Sequence, residues 1–327
     1  MATKPPPSHL ELLIGESPCF RRVIEKIPCV AEANATVLIS GDTGTGKELF
    51  ARAIHYMSPR SAKPFIPVNC GTLPDHLFEN ELFGHARGAF TDASSAEEGL
   101  MTEAEGGTLL LDEVDALSLY AQVKLLRFLQ DRQYRPLGSA RSRTADVRII
   151  AATNTDLRRR IDLGAFREDM YHRLNVLRLV LPSLTERPED IALLAEHFLT
   201  RYAGPTGPGP RRFSAAALHK LTAYRWPGNV RELEAVIQRA VILTSSTVLE
   251  ERDIDLPDAP GAGTRRGLTF REAKARAIDG FERTYLANLL AEHRGNISRA
   301  ARAAGKERRA FQRLLRKHAL ESCIFRR

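Results

Sequence analysis

Gly41, Asp42, Thr43, Gly44, Thr45, Gly46 and Lys47 carry the Gly-x4-Gly-Lys spacing of a loop that wraps a phosphate group. Glycines let backbone N–H groups close around a β-phosphate, the helix that follows adds its positive dipole end, and Lys47 reaches the β/γ oxygens. The flanks fit this chemistry. The β-branched run from Thr36 to Ser40 reads as a buried strand, and Glu48 to Ile54 has a helical pattern. A second run, 106–113, reads as a strand ending in Asp112 and Glu113. A carboxylate at 112 can organise Mg2+, and one at 113 can polarise a water for attack on phosphorus. Both runs in this order imply hydrolysis of a nucleoside triphosphate.

Elements must hold these groups together. Strands are expected at Thr36–Ser40, Phe65–Asn69, Thr108–Asp112, Val147–Thr153 and Leu177–Leu181, with helical patterns between them. Strands separated by helices imply crossover connections and a parallel sheet covered on both faces. In such sheets the site lies at the carboxyl ends of the strands, where the glycine loop, Asp112 and Asn154 fall. After Pro182 the strand pattern stops. Helices are expected at Asp190–Tyr202, Ser214–Ala223 and Asn229–Thr244, broken by the Pro/Gly runs 204–210 and 226–228.

At 327 residues the chain exceeds one ordinary core and fits two or three domains. Its 43 % apolar and 27 % charged content is that of a soluble globular protein. No apolar run approaches the ~20 residues of a membrane span, and no signal-peptide core follows Met1, so a cytoplasmic protein without membrane contact is expected. Cys19, Cys29, Cys70 and Cys323 lack metal or disulfide spacing. Residues 264–327 hold seventeen Lys/Arg against six Asp/Glu, a net of +11, which leaves −3 for the rest of a chain of net +8. A near-neutral body with a basic end fits an attached nucleic-acid-binding module.

From about Leu13 to Leu256 the chain resembles the AAA+ domain of bacterial enhancer-binding proteins, the activators of sigma-54 RNA polymerase. The resemblance rests on the motifs at 41–48, 68–70, 81–85, 88–93, 106–113, 147–154, 166–175 and 226–233. It implies an α/β AAA+ P-loop ATPase, a parallel sheet with helices on both faces, carrying an all-α lid subdomain. The expected divisions are a flexible lead at 1–10, the α/β ATPase subdomain at 11–182, the lid at 183–256 and a linker at 257–269. A helix-turn-helix domain is expected at 270–327.

Roles follow from the same resemblance, with ATP and Mg2+ as cofactors. Asn69 matches the switch partner of a catalytic Glu, here Glu113. Thr153 and Asn154 match the sensor of the γ-phosphate. Glu48 stands where other P-loops place a metal-binding Ser or Thr, as the family also does, so Mg2+ leans on Asp112, water and phosphates. Arg167 and Arg173 match fingers inserted by a neighbouring subunit, where a guanidinium fork meets charge developing on the phosphoryl group. Arg231 matches a second sensor on a lid helix. Gly88, Ala89, Phe90, Thr91, Asp92 and Ala93 match the loop that contacts the sigma factor, with Asp92 replacing the family's glycine. Asp tolerates turn geometries well, so this loop is expected to remain functional.

At the C-terminus, Phe270, Ala277, Ile278, Phe281, Tyr285, Leu289 and Leu290 form one helical stripe, enough for a dimer seam or a small core. Beyond it, Ile297, Ala300, Ala301 and Ala304 are spaced for one helix, Gly305 for a tight turn, and Phe311, Leu314 and Leu315 for a second helix. The unit resembles a Fis-type helix-turn-helix. Lys306, Arg309, Arg313 and Arg316 are expected on the outer face toward double-stranded DNA, with Arg308 nearer the packed edge.

The resemblance implies a transcriptional activator that binds upstream DNA, assembles as a ring, a hexamer by analogy, and spends ATP to remodel the sigma-54 RNA polymerase closed complex. With only about ten residues before the matching segment, no receiver or sensory domain is expected within the chain. The alternative is a nucleotide-dependent DNA-binding regulator that acts without sigma-54. A helicase loader is a third option, opposed by the 88–93 loop and the Fis-like end.

Overall fold

The computed structural model describes residues 13–72, 75–90, 93, 95–204, 209–257, 286, 289–290, 293, 296–306 and 308–317. It divides into two compact units, residues 1–255 and 256–327. The expected lead, most of the linker, Phe270 to Tyr285, Cys323, Thr91, Asp92 and the Arg316 side chain lie outside the described residues.

In the first unit five strands, β1 (Val37–Ser40), β2 (Phe65–Asn69), β3 (Thr108–Asp112), β4 (Arg148–Thr153) and β5 (Leu177–Val180), form one sheet. Their order is β2-β3-β4-β1-β5, and every pairing is parallel. Alternation along the strands shows why both faces are dry. Leu109, Leu111, Ile149 and Ala151 enter one apolar cluster, while Leu110, Ile150 and Ala152 enter the other. The first cluster is closed by α2 (Leu119–Asp131) and α3 (Glu168–Leu174). The second is closed by α1 (Lys47–Tyr56) together with Phe20, Val23 and Ile27. Strand ends differ from expectation by one residue at Thr36, Val147 and Leu181. Pairing still runs on at Thr36 and Leu181, since Leu177 N–H donates to Thr36 O and Leu181 N–H to Ser40 O.

Beyond β5 come α4 (Glu189–Ala203), α5 (Ala215–Ala223) and α6 (Asn229–Leu243). Ile191, Leu194, Ala195 and Phe198 bury the helical stripe of α4, and Leu233, Val236, Ile237 and Ala240 that of α6. Ser214 caps α5 by accepting from Ala217 N–H at 3.2 Å. Trp226 is buried and donates Nε1–H to Leu221 O at 2.8 Å, anchoring the turn that starts α6. No helix among the described residues is long and apolar enough to cross a membrane.

In the second unit, helices Ile297–Ala303 and Arg308–Lys317 join at Gly305, whose φ of +64° is the left-handed region that glycine adopts freely. Asn296 caps the first helix by accepting from the N–H groups of Ser298 and Arg299. Leu286, Leu289, Leu290, Ala300, Ala301, Phe311 and Leu315 make a separate small core. Leu289 and Leu290 of the expected stripe therefore pack within their own unit. Two details differ from the sequence reading. Lys306 sits before the second helix, its N–H closing on Ala301 O at 2.9 Å, and Arg308 is exposed because it opens that helix.

Candidate functional site

The loop from Gly41 to Lys47 springs from the end of β1, where Gly41 N–H donates to Thr153 O of β4. Thr45 closes it by donating Oγ1–H to Asp42 O at 2.8 Å. Gly44 and Gly46 both hold positive φ, +79° and +97°. Gly44 is also sterically required: a Cβ there would lie 2.2 Å from Gly228 O. Lys47 curls back so that Nζ donates to Gly41 O at 2.8 Å and Asp42 O at 3.1 Å. Its burial lowers the ammonium pKa from its ordinary value, Asp112 opposes that shift, and Arg231 adds to it. One field thus links lysine, acid and lid arginine. Glu48 faces outward, its carboxylate bound by Arg52 at 2.8 Å.

Asp112 ends β3, and its Oδ1 accepts the N–H of Glu113 at 2.9 Å. Glu113 itself sits at φ +55°, a left-handed conformation uncommon for a non-glycine residue and shared here by Arg132, Trp226 and Asn229. Its carboxylate meets the end of β2. A Cβ added to Gly71 would lie 2.8 Å from Glu113 Oε2 and 3.3 Å from Asn69 Oδ1. Gly71 N–H donates to Asn69 Oδ1 at 2.8 Å. Cys70, next to Asn69, is inert: burial first, then Asp112, Asp115 and Glu113, push its thiol far above the usual range.

At the end of β4, Thr153 and Asn154 differ in kind. The Thr153 hydroxyl is buried and donates to Asp115 Oδ1 at 2.7 Å. Asn154 is half-buried and donates Nδ2–H to Thr43 Oγ1 at 3.1 Å. Arg231, exposed on the first turn of α6, approaches the loop through its N–H to Gly44 O at 3.4 Å. Beside Thr45 and Gly46 opens a cavity of about 540 Å3, walled by Leu49, His197, Phe198 and Val230. Burial, reinforced by Arg201 against the pull of Glu234, lowers the His197 pKa, so its imidazole is neutral at pH 7. An apolar slot of this size beside a phosphate loop suits the base and sugar of a nucleotide.

The profile of the Sigma-54 interaction domain matches residues 13–180, and that of the AAA+ ATPase lid domain matches residues 185–264. The chain belongs to the sigma-54 interaction domain family. Its fold is the AAA+ P-loop NTPase fold with an AAA+ lid. The transcriptional regulatory protein GlrR of Escherichia coli K12 is 49 % identical over 316 residues, which cover 96 % of this chain and 70 % of that protein. The response regulator PilR of Pseudomonas aeruginosa is 43 % identical over 311 residues, 94 % of this chain and 70 % of its own length. Among solved structures, NtrX from Brucella abortus in complex with ATP matches with a TM-score of 0.71 and 36 % identity, over 94 % of this chain and 70 % of NtrX.

In this family member the 88–93 loop closes on itself, with Gly88 N–H donating to Ala93 O and Ala93 N–H to Phe90 O. Ala93 is buried, while Phe90 is 45 % exposed and rests on the His85 ring at 4.9 Å between centroids. The phenylalanine is presented, with one face supported. Arg167 precedes α3 and grips Asp169 with Nε and Nη2 at 3.0 and 2.7 Å, which holds the Asp169 carboxyl below its ordinary pKa. Arg173 is exposed. Among the described residues no hydrogen bond or ion pair joins either arginine to Lys47, Asp112, Glu113 or Asn154 of its own chain.

Sequence patterns missed Gly71, Asp115, Asn229 and the whole cavity. Gly71 follows two motif residues but carries no side chain to notice. The cavity is assembled from segments near 13, 49, 197 and 230, with no local spacing to reveal it. For Gly71 the consequence is testable: Gly71→Ala should displace the Glu113 carboxylate. Turnover should fall by about 10²-fold with nucleotide binding nearly unchanged, as measured by steady-state hydrolysis beside equilibrium binding. Wild-type turnover in this variant would show that the close approach has no catalytic weight.

Proposed function

We propose that this chain is an ATP-hydrolysing transcriptional activator that binds upstream DNA and remodels the sigma-54 RNA polymerase closed complex. The observation that carries the reading is the gathering of Lys47, Asp112, Glu113 and Asn154 around one P-loop, on a chain that also presents Phe90 from a self-closed loop. ATP is the nucleotide that NtrX holds, and the cavity beside Thr45 suits its base.

In this reading the loop N–H groups and Lys47 hold the β- and γ-phosphates. Glu113 orients the attacking water and takes its proton, aided by Asn69, while Asn154 and Arg231 contact the γ-phosphate from two sides. Mg2+ fits the donor chemistry here: Asp112 ends β3 within the field of Lys47, and its Oδ2 takes no part in the bond that Oδ1 accepts from Glu113 N–H. Asp112 would hold such an ion, which would supply charge neutralisation on the phosphates. Arg167 and Arg173 are exposed, so a neighbour in a homo-oligomeric ring, a hexamer by family analogy, can supply them to the site of the next subunit.

The Phe90 loop engages sigma-54. Wild type should bind sigma-54 in the presence of a transition-state analogue of ATP. Phe90→Ala should lose about tenfold or more of that binding while hydrolysis stays nearly intact. No binding by wild type, with binding gained by Asp92→Gly, would mean that the loop has lost this partner. That result would favour the regulator acting without sigma-54.

The two helices of the second unit, the Fis-like end, meet double-stranded DNA through Lys306, Arg309, Arg313 and Arg316. Of these, Lys306, Arg309 and Arg313 are exposed. Arg309→Ala or Arg313→Ala should weaken specific binding by ~1–3 kcal/mol if the residue reads a base edge. An unchanged footprint for the double variant would remove this helix from the interface.

A further inference from the structure

Thr43 stands in two contacts at once. Its hydroxyl accepts from Asn154 Nδ2 at 3.1 Å, and its backbone carbonyl accepts from Asn229 Nδ2 at 3.0 Å. Asn229 is 2 % exposed, and its Oδ1 accepts the N–H of Leu184 at 2.7 Å. Leu184 lies in the short segment that leads from β5 into α4. One side chain therefore ties the P-loop, the connection to the lid and the first turn of α6. The next loop residue strengthens the tie, since Gly44 O accepts from Val230 N–H at 3.0 Å and from Arg231 N–H at 3.4 Å. Helix N-termini expose unpaired N–H groups, and here one P-loop carbonyl, that of Gly44, satisfies two of them. Asn229 holds φ +52°, which asparagine tolerates better than most residues and which aims its amide at Thr43.

The amide of Asn154 has two N–H groups. One is spent on Thr43, which fixes the rotation of the amide and leaves the other for a phosphate oxygen. An Asn154 that shifts when the γ-phosphate leaves must pull on Thr43. Thr43 cannot move without disturbing the bonds that set α6. We propose that Thr43 is a positioning residue that couples the γ-phosphate contact of Asn154 to the placement of lid helix α6, so that tri- and diphosphate nucleotides set different lid positions. This rests on the ATPase reading above.

Trp226 is the only tryptophan in the chain, is buried, and lies three residues before Asn229, so its emission reports on the lid turn. The experiment uses the full chain with Thr43→Val, which removes the hydroxyl, and Thr43→Ser, which keeps it. Wild type should give different Trp226 emission with ADP and with a non-hydrolysable ATP analogue. Thr43→Val should give the same emission with both and lose about tenfold in kcat, with ADP affinity within about threefold of wild type. Thr43→Ser should recover the difference and the rate. Asn154→Ala, at the other end of the contact, should also abolish the emission difference.

A Thr43→Val protein that keeps the difference and the wild-type kcat overturns the proposal. So does one that loses ADP binding in parallel with turnover, because Thr43 would then only shape the loop. Wild type that hydrolyses ATP yet shows one emission with both nucleotides overturns it as well. Wild type that hydrolyses nothing overturns the ATPase reading instead, and the emission comparison still decides the coupling.

Discussion

Glu113→Gln should retain ATP binding and lose about 10³-fold in turnover. The amide keeps the shape of the side chain but cannot take a proton from water. In the proposed reading, holding the nucleotide falls to Lys47, the loop N–H groups and the cavity beside Thr45, and Glu113 acts on the water. The close approach of the Glu113 carboxylate to Asn69 and Gly71 is what supports a role in chemistry. Steady-state hydrolysis and equilibrium binding separate the two functions. Hydrolysis surviving within about tenfold of wild type would remove Glu113 as the base.

Arg167→Ala should lower turnover by about 10³-fold or more, the scale of a missing arginine finger. In the single chain this guanidinium is exposed, and among the described residues it pairs with Asp169. An exposed ion pair contributes little, so the arginine can leave Asp169 for a neighbour's phosphates at small cost. Complementation tests the arrangement. Mixed rings of Arg167→Ala and Glu113→Gln subunits should recover part of the hydrolysis, because some interfaces pair an intact Glu113 with an intact Arg167. Zero recovery in rings shown to be mixed would count against donation from a neighbour.

The sheet was legible because buried parallel strands read as short unbroken apolar runs, and all five lie within a residue of their expected ends. The phosphate loop and the Asp112–Glu113 pair were legible for a related reason: their chemistry needs fixed spacing along the chain. The other features depend on segments distant in sequence. Asn229 was read only as a motif letter, although its amide joins Thr43 to Leu184 across more than forty residues on one side and nearly two hundred on the other. Thr153 and Asn154 looked alike as polar neighbours. Strand alternation turned the first inward to Asp115 and left the second at the rim. Glu48, which the resemblance already left off the metal, is paired with Arg52 one helical turn on.

The most direct test of the central claim is open-complex formation at a sigma-54 promoter carrying its upstream site, with purified polymerase, sigma-54 and this protein. Promoter melting is followed by a single-strand-specific footprint. With ATP the promoter should melt, and with a non-hydrolysable analogue, or with Glu113→Gln, it should stay closed. Melting that proceeds without hydrolysis, or a closed promoter in the presence of a protein that turns over ATP, would contradict the account.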